Sequence, residues 1–402
     1  MAEATYPPYW LLLLPHPPFD VSLNNLRVAY GPGLSQALQN ASKASAGASN
    51  VILDVAIAYD DNSTFTYHHI QTLFGLMYRL ICVICTEQHI DLEYGNDVDA
   101  RIILFHTTQD KVRPGRSLLQ KSVIDLDTLA SIDRAWQKVC SLESENGEAL
   151  LQEFLHVRNG PGQRRILEHQ VERFPGGLTL RVRPRQHTKT QDTPFHRHRS
   201  VAVGGTFDHL HAGHKLLLTM TALVLSPETT QARCLTVGVT GDDLLKNKQY
   251  REELEDFSQR QSAVQHFLLD ILELISPINE LESVNNIQSA KHRGREVHNV
   301  LKSGLTIKYV EIFDSCGPTI TDEAIAALVL SGETRKGGEV VNEKRGERGW
   351  AALEVFEVDV LDTGDGEAGD EAQSSDKFQS KISSTDIRRR VHQKQSGATW
   401  TA

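Results

Sequence analysis

Two short stretches carry residue types and spacings suited to chemistry on an anion. The first is Val203-Gly204-Gly205-Thr206-Phe207-Asp208-His209-Leu210-His211-Ala212-Gly213-His214. Its glycines let backbone approach a ligand with no Cβ in the way. His211 and His214 stand at i and i+3, so on a helix they share one face. Near a helix N-terminus these rings join unpaired backbone N–H groups and the positive end of the helix dipole, a setting that suits a polyphosphate. The second is Ile382-Ser383-Ser384-Thr385-Asp386-Ile387-Arg388. Ser383 or Ser384 is a good N-cap for the helical run beyond, and Arg388 can grip phosphate in a bidentate way. A third stretch, Val239-Thr240-Gly241-Asp242-Asp243-Leu244-Leu245-Lys246-Asn247-Lys248, offers one or two lysines.

Each stretch alone has a plainer reading. A histidine pair is usually a satisfied surface pair, a Ser-Ser-Thr run a helix cap, and two lysines a solvated charge pair. Their combination carries the argument. A zinc site needs a third ligand, which His211 and His214 lack, so no metal site is expected. Cys82-Val83-Ile84-Cys85 has redox spacing but lies in an apolar run and reads as core packing. His187, His196 and His198 read as solvated linker residues, and there is no G-x-x-x-x-G-K-[ST] phosphate loop.

The elements that must position these residues follow from periodicity. Val201–Val203 reads as a strand running into the Gly-Gly turn, with an apolar helix at about 212–225. Strands are expected at Cys234–Thr240, Thr306–Ile312, Ala327–Leu330 and Leu353–Leu361, and a helix at Ser258–Ile275. Alternation of this kind implies a parallel sheet covered by helices, with ligands at the carboxyl ends of the strands. Before it, residues 1–180 show strands at Val51–Tyr59 and Arg101–Phe105, a buried helix at Ile70–Ile84, a loop at Ala41–Asn50, and a buried strand or turn at Trp10–Leu14. The expected fold is α/β: a Rossmann-like parallel-sheet domain at 200–395, preceded by a smaller α/β domain and a polar, basic linker at 181–199, and followed by a tail at 396–402. The acidic stretch 362–376 reads as a disordered insert.

The 402-residue chain has a formal net charge of −10, which argues against a general nucleic-acid binder. No apolar run reaches the roughly 18 residues of a membrane span. Five scattered cysteines fit a reducing, cytoplasmic setting better than a disulfide framework.

The paired G-G-T-F-D-x-L-H-x-G-H and I-S-S-T-x-I-R motifs resemble the nucleotidyltransferase superfamily named for its His-x-Gly-His signature. Asp314-Ser315-Cys316-Gly317-Pro318-Thr319, Ser331-Gly332-Glu333-Thr334, Gly337-Gly338, Asn342 and Arg345 narrow the resemblance to eukaryotic-type phosphopantetheine adenylyltransferases. It covers about half the chain, from Ser200 to near Val391. Ser315 and Cys316 depart from the proline and aromatic of the family's D-P-Y-G-P-T stretch, which leaves the acceptor-pocket contacts there open.

The resemblance implies in-line attack of the phosphate of 4′-phosphopantetheine on the α-phosphorus of ATP, with pyrophosphate leaving and no covalent enzyme intermediate. It implies that Thr206 bonds the attacking phosphate, that His214 contacts the α-phosphate with His211 beside it, and that Lys246 or Lys248 neutralises charge. Ser383, Ser384, Thr385 and Arg388 would hold the β- and γ-phosphates. Gly204, Gly205 and Phe207 would line the nucleotide, Glu333 and Thr334 would lie near nucleotide or acceptor, and Asp208 would lie near the acceptor. Mg²⁺ would travel with ATP and need few protein ligands. Other enzymes of coenzyme A synthesis are conceivable partners. The competing readings are a cytidylyltransferase of phospholipid head-group synthesis, whose R-Y-V-D-E stretch is absent here, and a silent nucleotide-binding scaffold.

Overall fold

The computed structural model describes residues 7–45, 50–59, 66–92, 97–107, 124–177, 196–227, 231–275, 281–286, 294–301, 303–359 and 383–395. The expected acidic insert, the tail, Ile382 and most of the expected linker lie outside them. The chain divides into two compact units, one of Met1–Phe195 with Glu273–Pro277, the other of His196–Leu272 with Ile278–Ala402.

The first unit runs β1 (Tyr9–Leu14), α1 (Leu23–Ser45), β2 (Val51–Tyr59), α2 (Tyr67–Gln88), β3 (Val98–His106), β4 (Ile124–Asp125), α3 (Leu126–Ser131), β5 (Trp136–Glu143), α4 (Glu145–Arg158) and β6 (Val171–Pro175). The sheet order is β4-β3-β2-β1-β5-β6, and every pairing is parallel. Strands covered on both faces read as near-continuous apolar runs, and β1 and β2 do so except at Asp54. That carboxylate is wholly buried and is held by both Arg134 Nη1 contacts at 3.1 and 3.0 Å and by Trp136 Nε1 at 2.9 Å. A charge there is tolerable only with such partners.

Two elements of this unit differ from expectation. Helix α1 extends to Ser45, through residues read as a loop, and carries Pro32 internally. Proline leaves the carbonyl four residues back without its helical donor. Here Gly177 lies against that turn: its N–H donates to Ala29 O at 3.2 Å, and a Cβ on it would stand 1.8 Å from Val28 O. Helix α2 is 22 residues and, contrary to the expectation for this chain, long and apolar enough to cross a membrane; most of its apolar stretch is buried inside the unit, as in a core helix.

The second unit runs β7 (Ser200–Gly205), α5 (Ala212–Val224), β8 (Arg233–Thr240), α6 (Phe257–Ile275), β9 (Leu281–Asn286), β10 (Glu296–Leu301), β11 (Leu305–Ile312), β12 (Ala327–Ser331), α7 (Arg335–Glu347), β13 (Glu354–Val358) and α8 (Ser384–Gln395). The sheet order is β13-β12-β7-β8-β11-β10-β9. The first five strands are parallel; β10 and β9 extend the sheet antiparallel, an addition not expected from the sequence. From β7 the chain winds one way through β8 to β11, then returns to lay β12 on the other side of β7. That reversal is a topological switch point, and the crevice at the carboxyl ends of β7 and β12 is where such sheets bind ligands.

The expected linker ends earlier than 199. His198 N–H donates to Val224 O at 3.0 Å and Cys234 N–H to Arg199 O at 2.7 Å. The His198 ring is not a solvated linker side chain: its Nε2 lies 2.7 Å from Glu354, and it packs edge-on against Phe356. Arg345, buried on α7, donates to the carbonyls of Thr319, Asp322, Glu323, Ile325 and Ala351. Asn342 exchanges bonds with both the N–H and the C=O of Leu353. These two motif residues hold loops together.

Candidate active site

The residues after β7 turn tightly before α5 begins. Phe207 (φ +54°) and His209 (φ +46°) both adopt the left-handed region, which costs a non-glycine residue energy and persists only when the surroundings hold it there. The holding contacts are specific. Phe207 and Asp208 are fully buried. His209 N–H donates to Glu255 Oε2 at 2.8 Å, and Glu255 N–H returns a bond to Asp208 Oδ1 at 3.0 Å. Burial pushes the Glu255 carboxyl up, partly countered by the bond from His209.

His211 is the N-cap of α5, and its Nδ1 accepts from Gly213 N–H at 3.2 Å. A Cβ at position 213 would press on the His211 ring at 3.2 Å, so glycine permits the fold-back. With Nδ1 accepting, the neutral ring carries its proton on Nε2. That atom lies 3.3 Å from Ser384 Oγ, which itself donates to Asp208 O at 2.9 Å. The chain of bonds therefore runs Gly213 to His211 to Ser384 to Asp208. The second motif, 173 residues away in sequence, meets the first at its helix tip.

His214 stacks on His211 with ring centroids 3.9 Å apart and planes 24° from parallel, and meets Phe207 edge-on at 5.5 Å. Its Nδ1 is buried without a hydrogen-bond partner. Burial, with the neighbouring His209, pulls His214 down to about 3. Burial first, then His214, Lys215 and His209, hold His211 well below the ordinary imidazole value. Burial thus favours the neutral form of both rings.

Helix α8 begins with Ser383 capping. Its Oγ accepts from Asp386 N–H at 3.2 Å and donates to Asp386 Oδ2 at 2.5 Å. Arg388 departs from the expected phosphate contact. Its guanidinium is buried, ion-paired to Asp208, and donates further to Gln249 O at 2.9 Å and Thr385 Oγ1 at 3.2 Å. Asp208 likewise is not an acceptor-facing group: its carboxylate is consumed by Arg388 and Glu255. The physical reason is the same for both, since a charge without water needs an opposite partner. Together they clamp α8 to the first motif.

The remaining expected residues share the same sheet edge. Gly204 and Gly205 end β7 beside Gly238 and Val239 of β8, and Thr240 Oγ1 donates to Gly205 O at 3.1 Å. Thr206 follows directly, half-buried. Lys246, beyond β8, is exposed and paired with Asp243 at 2.7 Å; Lys248 is exposed. Glu333 and Thr334 lie exposed just past β12, with Thr334 Oγ1 donating to Ser331 O at 3.0 Å. At Asp314-Ser315-Cys316, the Asp314 carboxylate accepts from Cys316 and Gly317 N–H at 2.8 and 2.7 Å, and Lys344 Nζ donates to Cys316 Sγ at 3.4 Å.

Sequence reasoning missed Arg260, Asp242 and Glu255. A signal for Arg260 was present: it sits on the buried stripe of α6 with Phe257, Val264, Phe267 and Ile271. A cation in the first turn of a helix opposes the dipole, so an arginine on that stripe must have carbonyl or carboxylate partners.

Comparison with known proteins gives two family matches. Residues 1–180 match a model described only as a domain of unknown function, and residues 202–390 match one described as cytidylyltransferase-like. An uncharacterized protein of Schizosaccharomyces pombe is 36% identical over 187 residues, 46% of each chain. The phosphopantetheine adenylyltransferase of Saccharomyces cerevisiae is 33% identical over 189 residues, 47% of each chain. That of Thermococcus gammatolerans is 30% identical over 164 residues, 41% of this chain and 79% of the archaeal protein. The match thus spans about half the length of the two yeast relatives and most of the archaeal one.

Proposed function

This chain belongs to the cytidylyltransferase-like nucleotidyltransferase family that includes phosphopantetheine adenylyltransferases, and from that premise we propose that it transfers AMP from ATP to 4′-phosphopantetheine, giving dephospho-coenzyme A and pyrophosphate. The observation that carries the reading is the meeting of two helix tips, with His211 Nε2 3.3 Å from Ser384 Oγ at the switch point of a parallel sheet. The positive dipole ends of two helix N-termini suit the ends of one triphosphate. The names of the Saccharomyces cerevisiae and Thermococcus gammatolerans relatives support the choice of acceptor.

In this reading an acceptor phosphate oxygen attacks the α-phosphorus, the bond to the bridging oxygen breaks, and that oxygen leaves with pyrophosphate. The protein contributes positioning and charge stabilisation. Thr206 donates its hydroxyl to the attacking phosphate. His214, with its unpaired Nδ1 and neutral ring, contacts the α-phosphate, and His211 backs it. Ser384, Thr385 and Ser383 with the α8 amides hold the β- and γ-phosphates, while Arg388 anchors that helix. Lys246, released from Asp243, or Lys248 offsets the growing charge, and Glu333 and Thr334 border the nucleotide. Among the described residues no group of three or more His, Cys, Asp or Glu is arranged to hold a metal; magnesium arrives as part of the nucleotide substrate, held by phosphate oxygens and water.

The test is pyrophosphate release with ATP or CTP against 4′-phosphopantetheine, phosphocholine and phosphoethanolamine. Turnover with ATP and 4′-phosphopantetheine is expected. Turnover only with CTP assigns the chain to head-group synthesis, and ATP binding without turnover makes it a nucleotide-binding scaffold.

A further inference from the structure

Arg260 is wholly buried at the start of α6, and its fork reaches four partners. Nη1 donates to Thr206 O at 2.7 Å and Thr240 O at 2.8 Å, Nε to Glu255 O at 3.0 Å, and Nη2 to Asp242 Oδ1 at 2.7 Å. These partners are not scattered. Thr206 directly follows the last residue of β7, and Thr240 is the last residue of β8. Glu255 is the residue that grips His209 and Asp208. Asp242 opens the short helix leading to Lys246, and its other oxygen meets Arg295 at 3.4 Å.

We propose that Arg260 is a positioning residue that sets the Thr206 hydroxyl and the His211–His214 pair in register with the segment carrying Lys246. The inference rests on the adenylyl-transfer reading for its kinetic expression, but its structural content stands on the four bonds. Only a planar guanidinium with fixed N–H directions serves two carbonyls from one nitrogen while binding a carboxylate with the next. A lysine at 260 keeps the charge and loses the geometry. The Arg388–Asp208 ion pair that clamps α8 is not among the bonds the change removes, so phosphate binding is expected to survive while alignment suffers.

The test uses the full chain with Arg260→Lys and Arg260→Ala, and Arg233→Lys as control. Arg233 is another buried arginine, bonded to Ser226 O and Ser303 O, at the opposite edge of the sheet. Arg260→Lys is expected to lower kcat on the order of 10- to 100-fold with KM for ATP changed less than about threefold, as a small misplacement of reacting groups does. Millimolar guanidinium is expected to restore part of the Arg260→Ala rate. Arg233→Lys lowers the thermal midpoint and leaves kcat near that of the parent chain. A second readout needs no turnover: the NMR signals of the His211 and His214 rings in the ligand-free protein shift in Arg260→Lys and stay in place in Arg233→Lys. Equal kcat in the two lysine variants, or unmoved imidazole signals in Arg260→Lys, overturns the proposal. An inactive parent chain counts against the adenylyl-transfer reading instead, and the imidazole signals then decide the role of Arg260.

Discussion

An imidazole whose Nδ1 already accepts a hydrogen bond has one proton to offer, and in His211 that proton points at Ser384. His214 is left as the ring with an uncommitted buried nitrogen. Its replacement by alanine is expected to keep the fold and lower kcat on the order of 10²–10³-fold, the loss of one transition-state donor; a rate unchanged in pyrophosphate release would remove His214 from the mechanism. The depressed imidazoles also carry a pH signature. With His214 near 3 in the folded chain and near 6.5 unfolded, the unfolded state binds more protons between those values. Stability is therefore complete above the unfolded value and declines as pH falls through the window, by up to about 1.4 kcal/mol per pH unit for each such ring. Urea midpoints of the parent and His214→Gln, compared from pH 7 to 4.5, should converge toward acid. Parallel curves would mean that the ring titrates alike in both states. An arriving polyphosphate reverses the electrostatics and favours protonation, so ATP binding should take up protons below neutral pH; calorimetry in buffers of different ionisation enthalpy reads that uptake directly.

At the scale of elements, α8 is held to the β7–α5 turn by a buried ion pair and by its first serine. Arg388→Gln strands the Asp208 carboxylate without its cation, which is expected to cost about 3–5 kcal/mol and to appear as a lower denaturation midpoint. Were Arg388 solely a phosphate ligand, the midpoint would hold and only KM for ATP would rise. This pair also shows what the sequence could and could not convey. The strand and glycine turn before α5 and the serine cap of α8 were legible, because glycine turns, serine caps and apolar periodicity are local properties; that His211 caps α5 was not read from the sequence. That His211 and Ser384 would meet followed from the paired motifs. The inward turn of Arg388 was not legible, because an arginine after a Ser-Ser-Thr cap suits phosphate and carboxylate equally, and only packing decides. Helix α1 was obscured by Tyr30-Gly31-Pro32-Gly33, a sequence with turn chemistry that lies inside the helix, where Gly177 N–H donates to Ala29 O. The β9–β10 pair lacks the alternation that marks a half-buried strand.

At the scale of the whole molecule, every residue assigned here to nucleotide or acceptor lies in the unit that begins at His196. The first unit has its own sheet, its own buried ion pairs at Asp54–Arg134 and Asp99–Arg101, and its own family match, and none of the proposed chemistry draws on it. A fragment beginning at His196 is therefore expected to fold and to keep kcat within about threefold of the full chain, as a domain with its own core does. The fragment is expected to unfold in a single cooperative thermal transition, read by calorimetry. An inert fragment with a cooperative thermal transition would place part of the active site in the first unit and move the search for missing residues there.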